Sequence, residues 1–152
     1  MKPRICINAY TLNYEHGGGH FWVYLNWALG MKAAGCDVVW LEWISGQLNE
    51  DQAAHKVALL KSRLASYGFG DILAVYAHHF DAYYEYAMKL EDVLDSDLLI
   101  NFNHWTHPGV LNQFSKKAFI DIDPGLTQYW MAKKLIDVPI HDSYFTIGEH
   151  HA

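Results

Sequence analysis

Six short apolar runs alternate with helix-like segments along this 152-residue chain. Most of the runs are continuously apolar, which is typical of strands covered on both faces of a parallel sheet. Right-handed crossovers place the intervening helices on both faces. The pattern predicts one domain over residues 1–152, an α/β, Rossmann-like, doubly wound and mostly parallel sheet of about six strands. The predicted strands are Arg4–Ala9, Asp37–Ile44, Asp71–Ala77, Asp97–Phe102, Ala118–Ile122 and Ser143–Ile147.

The segments between the strands carry helix start and stop signals. A helix over Phe21–Ala34 should end at Gly35, because glycine readily adopts the left-handed conformation that follows many helices. Asn49 with Gln52 three residues on is a capping box, and Gly68 should end that helix. Further helices are predicted over Phe80–Leu94, just after Pro108, and from Pro124 to about Leu135.

The charge balance limits the kinds of partner. Eleven basic and 17 acidic residues give a net charge of −6, so the chain has no overall field for DNA or RNA. A local basic pocket for a single phosphate stays compatible with this balance.

No window is apolar enough for a transmembrane segment, and no secretory signal is recognisable. Cys6 and Cys36 lack CxxC spacing, so we expect buried reduced thiols and a cytoplasmic protein.

Ligands of doubly wound sheets bind outside the carboxyl ends of the strands. A Gly-rich segment follows the first strand there, where Gly17, Gly18 and Gly19 precede His20 and a predicted helix. Glycines let the backbone approach a ligand closely, and a helix N-terminus offers free N–H groups. The segment therefore predicts a site for a phosphate, diphosphate or carboxylate. The alternative is a flexible loop without a ligand.

A dinucleotide site is the runner-up for this edge. Glu42 ends the second strand 23 residues after Gly19, near the spacing of a ribose-binding acid. The three glycines are consecutive, however, and Gly17 comes eight residues after Ala9, which departs from the G-x-G-x-x-G pattern. NAD or FAD is therefore expected only under this alternative, and no cofactor under the main one.

Histidines follow the fourth strand, in the segment Asn103–Gly109. His104 and His107 are placed to hydrogen-bond a sugar hydroxyl or to act as a general base. The alternative is that one or both cap backbone groups. His78 and His79 end the neighbouring third strand and can join them.

Other polar residues have plainer explanations. No histidine or cysteine spacing matches a metal motif, so no metal is predicted. Asp123 is expected to cap the helix that starts at Pro124, and Glu149 lies on the ligand edge after the last strand. Most aromatic residues should pack between helices and sheet, while some form an apolar face toward a partner. These aromatic residues are Trp22, Trp27, Tyr83, Tyr84 and Tyr86.

A family resemblance covers nearly the whole chain. The three glycines, with Leu25, Leu29, Gly35 and the strand Val38–Leu41, resemble the opening of the N-terminal domain of GT-B glycosyltransferases. The His104 segment resembles that family's His-containing loop near the reaction centre. Ile120–Gln128 and His141–His150 look like bacterial glycosyltransferase-like proteins.

The resemblance implies the acceptor-side half of a transferase that uses a nucleotide sugar as its substrate. Gly18 and Gly19 would approach the donor diphosphate, and His104 or His20 would serve as catalytic residue, with Gly17, His107 and Glu149 at the ligand. The family's C-terminal domain supplies most donor contacts, so a chain lacking it is expected to be inactive alone. The alternatives are a self-sufficient nucleotide-binding domain and a non-enzymatic interaction module, such as a homodimer.

Overall fold

The computed structural model describes residues 1–14, 18–77 and 87–148. Six strands and four α-helices alternate along these ranges, with one 3-10 helix at Glu91–Val93. The strands are β1 (Arg4–Ala9), β2 (Asp37–Trp43), β3 (Leu73–Tyr76), β4 (Leu98–Asn101), β5 (Lys117–Asp121) and β6 (Ser143–Thr146). The α-helices are α1 (Gly18–Ala33), α2 (Glu50–Ala65), α3 (Pro108–Leu111) and α4 (Pro124–Ala132).

The strands form one sheet in the order β3-β2-β1-β4-β5-β6, and every pair is parallel. The direction of strand addition reverses between β1 and β4, where Asn8 lies opposite Asn101. In sheets of this order the crevice at the reversal is the usual ligand-binding position. The predicted Rossmann-like α/β fold is confirmed.

The sheet is covered on both faces along β1 to β5, as the continuous apolar strands predicted, whereas the edge strand β6 is exposed. On one face, Ile7 and Trp40 belong to a buried cluster that includes Phe21 of α1 and Leu60 of α2. On the other face, Cys6 and Leu99 are buried together with residues of the 3-10 helix and of α3. Within the described ranges, no helix is long and apolar enough to span a membrane.

The local signals at the helix ends are largely confirmed. Asn49 and Gln52 form a reciprocal capping box at the start of α2. Gly35 and Gly68 follow their helices with φ of +87° and +78°, a conformation that favours glycine. Helix α1 begins three residues earlier than predicted, so Gly18 and Gly19 belong to its first turn.

Two predictions are wrong within the described residues. The helix over Phe80–Leu94 falls partly on residues 78–86, which lie outside the described ranges, but residues 87–94 form no α-helix. Met88 instead pairs with Ala74 in a parallel bridge, and the Asp92 side chain accepts a hydrogen bond from the Lys89 backbone at 2.9 Å. Such local bonds compete with a helix. Cys36 is only partly buried, although Cys6 is buried and both thiols are free.

Candidate functional site

The loops that follow β1 and β4 meet at the carboxyl edge of the sheet. The ring of Tyr10, from the first loop, lies edge-on to Trp105 of the second, with centroids 4.8 Å apart. Trp43, at the end of β2, packs on Trp105 with a centroid distance of 5.4 Å. Trp105 stays 39% exposed, so these three side chains form a partly open aromatic row.

Asn101, the last residue of β4, is the centre of a buried polar network beneath this row. Its Oδ1 accepts hydrogen bonds from Asn8 Nδ2 at 2.9 Å, the Asn103 backbone at 3.0 Å and Thr106 Oγ1 at 3.1 Å. Asn8 Nδ2 also donates to Thr106 Oγ1 at 2.9 Å. The network fixes Asn103 and Thr106, which lie on either side of His104 and Trp105.

Two further contacts extend this network. Asn103 Nδ2 donates to the backbone oxygens of Asn8 and Ala9, at 3.2 and 3.1 Å, and so ties the second loop to the end of β1. His141 Nε2 lies 3.0 Å from Asn101 Nδ2, and its Nδ1 lies 2.6 Å from the Pro139 carbonyl. Burial lowers the pKa of His141. A neutral ring with its proton on Nδ1 satisfies both contacts.

Sequence reasoning missed this network, but a signal for it was present. Asn8 and Asn101 each interrupt an otherwise apolar strand near its carboxyl end. A buried amide needs a partner, so two such residues in different strands indicate paired strand ends. The pairing of β1 with β4, however, became known only from the sheet order.

His104 lies in the loop after β4, as the sequence predicted, and is partly buried. Its ring centroid is 6.0 Å from that of Trp130 on α4. Burial lowers the pKa of His104, and the negative charge of Asp121 opposes that shift. The imidazole is therefore mainly neutral at pH 7, the form that accepts a proton.

The predicted capping roles hold for His107 but not for Asp123. The sequence predicted His107 as a ligand residue, with capping of a backbone group as the alternative, and the structure shows the cap: its Nδ1 accepts a hydrogen bond from the Gly109 backbone at 3.0 Å at the start of α3. Asp123 stands at the N-cap of α4, but its side chain makes no capping bond there. The Asp123 backbone N–H donates to the Asp121 carboxylate at 3.1 Å, which forms a local turn before α4.

The first turn of α1 brings three more predicted residues to the same edge. Gly18 and Gly19 are exposed, and a Cβ added to either would meet nothing within 4 Å. The exposed His20 packs edge-on against Tyr14, with centroids 4.9 Å apart. Gly17 and Glu149, also predicted at the ligand, lie outside the described residues, as do His78, His79, Tyr83, Tyr84 and Tyr86.

Glu42 is fully buried and acts within the protein. Its carboxylate accepts hydrogen bonds from the backbone N–H groups of Thr11 and Leu12, from the Thr11 hydroxyl and from Trp40 Nε1. A ribose-binding acid must face the crevice, whereas these donors surround Glu42 in the core. Glu42 therefore anchors the loop after β1.

The described residues contain no group of three or more His, Cys, Asp or Glu side chains arranged to hold a metal ion.

No protein-family model, curated protein or solved structure matches this chain.

Proposed function

We propose that this chain is the acceptor-side half of a GT-B-type glycosyltransferase, and that it binds a sugar at the carboxyl edge of β1 and β4. The observation that carries the proposal is the exposed Trp105 beside His104 at the reversal of strand order. Ligands of open α/β sheets bind at such a reversal. The family resemblance supports the same conclusion.

Trp105 supplies the binding surface in this proposal. An aromatic face packs well against the C–H groups of a sugar ring, and Tyr10 and Trp43 pack against the partly exposed indole at steep interplanar angles. The buried Asn101 network fixes the loop before binding, so little ordering cost falls on the complex.

His104 supplies the proton acceptor. The acceptor hydroxyl oxygen forms a bond to the anomeric carbon, the bond from that carbon to the diphosphate oxygen breaks, and the hydroxyl proton passes to the imidazole. A neutral His104 can receive this proton, and the nearby Asp121 charge then favours the imidazolium. The first turn of α1, with Gly18 and Gly19, would face the leaving diphosphate with free N–H groups.

The test measures sugar binding by the 152-residue chain. Saturation-transfer NMR with methyl glycosides of glucose, galactose and N-acetylglucosamine, each at about 10 mM, detects the weak affinity expected of a half-site. Trp105→Ala should reduce the signal at least about tenfold, the equivalent of about 1.4 kcal/mol. Trp22→Ala is the matched control, because Trp22 is exposed on α1 and contacts Phe21 and Tyr67 instead.

Two results would contradict the proposal. One is the absence of any glycoside signal, and the other is an equal signal from wild type and Trp105→Ala.

Release of nucleoside diphosphate from UDP-glucose separately tests the expectation that catalysis requires a second domain. We expect almost none, and turnover on the order of 1 s⁻¹ by this chain alone would contradict the requirement for a second domain.

A self-sufficient dinucleotide-binding domain is the second candidate. The strand order favours it, because β3-β2-β1-β4-β5-β6 is the order of dinucleotide-binding sheets. The burial of Glu42 counts against it. A thermal-shift screen separates the two candidates, since NAD or FAD should raise the melting temperature only for a dinucleotide-binding domain.

A further inference from the structure

A cavity lies between the loop after β1 and helix α2. It has a volume of about 200 Å³ and shares no lining residue with the row or with the loop after β4. Leu12 and Tyr14 line it from the first loop, Phe21 from α1, and Leu59 and Leu60 from α2. The cavity is therefore mostly apolar and open at its rim, where Leu59 is 52% exposed.

Two cations of α2 stand in the wall of this cavity. The Arg63 guanidinium lies over the Phe21 ring, 3.6 Å from its centroid, and lines the cavity. Lys56 Nζ donates to the Leu12 carbonyl at 3.3 Å. Among the residues that the structure describes, none of those lining the cavity is an aspartate or a glutamate.

We propose that this cavity binds a small organic anion with an apolar body, such as an aryl or alkyl carboxylate or phosphate monoester. The apolar body packs against Phe21 and Leu60, and the anionic group bonds Arg63. The cavity is smaller than the usual range of about 300–1,000 Å³ for drug-sized sites, so the ligand has about ten non-hydrogen atoms. This inference is independent of sugar transfer.

The apolar walls and the cation make separable contributions to binding. Apolar burial alone would hold a neutral molecule of the same shape equally well, whereas a charge-assisted bond to Arg63 discriminates in favour of the anion. Binding should also weaken at higher salt, because Arg63 is exposed and its attraction is screened.

The probe is 2-naphthoate, and its neutral partner is 2-naphthylmethanol. Isothermal titration should give at least about tenfold tighter binding of the anion than of the alcohol. Arg63→Gln should remove this preference, weakening naphthoate about tenfold and leaving the alcohol unchanged. Lys61→Gln is the matched control, since Lys61 lies on the same helix and pairs with Asp71 at 3.4 Å, outside the cavity.

Leu59→Glu provides a second, independent variant. It places a negative charge at the exposed rim without removing a buried group, and should abolish naphthoate binding while leaving the melting temperature near that of wild type. The proposal is overturned if wild type does not bind naphthoate at about 1 mM. It is also overturned if the alcohol binds as tightly, or if Arg63→Gln and Lys61→Gln weaken binding equally.

Discussion

The two loops that meet at the sheet edge are anchored by different chemistry. The loop after β1 is anchored by a buried carboxylate, that of Glu42, which accepts bonds from Thr11 and Leu12 of the loop and from Trp40 of β2. The loop after β4 is held by an uncharged amide, Asn101, which both donates and accepts. Yet both loops contribute to one aromatic contact, Tyr10 with Trp105.

The difference shows what each anchor can tolerate. A carboxylate suits a loop that presents only donors, but its charge makes burial expensive and its hold dependent on pH. An amide suits a loop that presents both N–H and C=O groups, and no proton is gained or lost near neutral pH. The aromatic row is therefore held by one anchor that is itself titratable, Glu42, and by one amide that is not, although its neighbour His141 is titratable.

The largest effect is expected from removing the carboxylate. Glu42→Ala leaves the N–H groups of Thr11, Leu12 and Trp40 unpaired in the core, so the free energy of unfolding should fall by about 3–5 kcal/mol. Urea denaturation at pH 7 measures this loss. Glu50→Ala, at the exposed start of α2, is the control and should cost less than about 1 kcal/mol. Equal losses in the two variants would show that Glu42 is no anchor.

Much of the fold was predictable because its signals are local. The strand Arg4–Ala9 was predicted with its observed bounds, and Asn49, Gly35 and Gly68 act at helix ends as their backbone chemistry requires. The α-helix was predicted wrongly over 87–94, because Glu91–Val93 forms a 3-10 helix that buries Val93 in the cluster on the second face of the sheet. Such packing depends on neighbours far away in sequence.

The site was predictable only in its location. The carboxyl ends of parallel strands share one edge, so His104, Gly18 and His20 were expected there. The functions of Glu42 and Asn101 were not predictable, because each depends on which loop lies above it. A buried carboxylate and a ribose-binding one have the same sequence position at the end of β2.

An intermediate effect is expected from putting a carboxylate into the uncharged anchor. Asn8→Asp replaces the donor that bonds Asn101 Oδ1 and Thr106 by an acceptor of the same size, in a fully buried position. The free energy of unfolding should fall by about 2–3 kcal/mol at pH 7. Part of it should return in acid, where the introduced carboxyl group is protonated and can donate again.

Urea titrations at pH 7 and about pH 4 measure both effects, the lower value being close to the unfolded pKa of aspartate. Asn26→Asp, exposed on α1, serves as the control and should change stability by less than about 0.5 kcal/mol. A loss that does not depend on pH would mean that the introduced charge is not buried.

The smallest effect is expected from pH alone, acting on the charged anchor. Burial raises the pKa of Glu42, and bonds from Thr11, Trp40 and Leu12 lower it in part. A pKa above the unfolded value of about 4.3 means that the folded protein binds this proton more tightly. The stabilisation is complete below the unfolded pKa and is lost as pH rises through the folded one.

Glu42→Gln carries an uncharged group at every pH, so the comparison with wild type isolates this proton. The free energy of unfolding of wild type minus that of the variant should fall as pH rises from about 4, by about 1.4 kcal/mol for each unit of pKa shift. The exposed carboxylates contribute equally to the free energy of unfolding of both proteins, so their contributions cancel in this difference. A difference that grows with pH would show that the donors around Glu42 outweigh its burial. The loop after β1 would then be held by a Glu42 carboxylate that stays ionised. Its contribution to the free energy of unfolding would not change with pH above about pH 5.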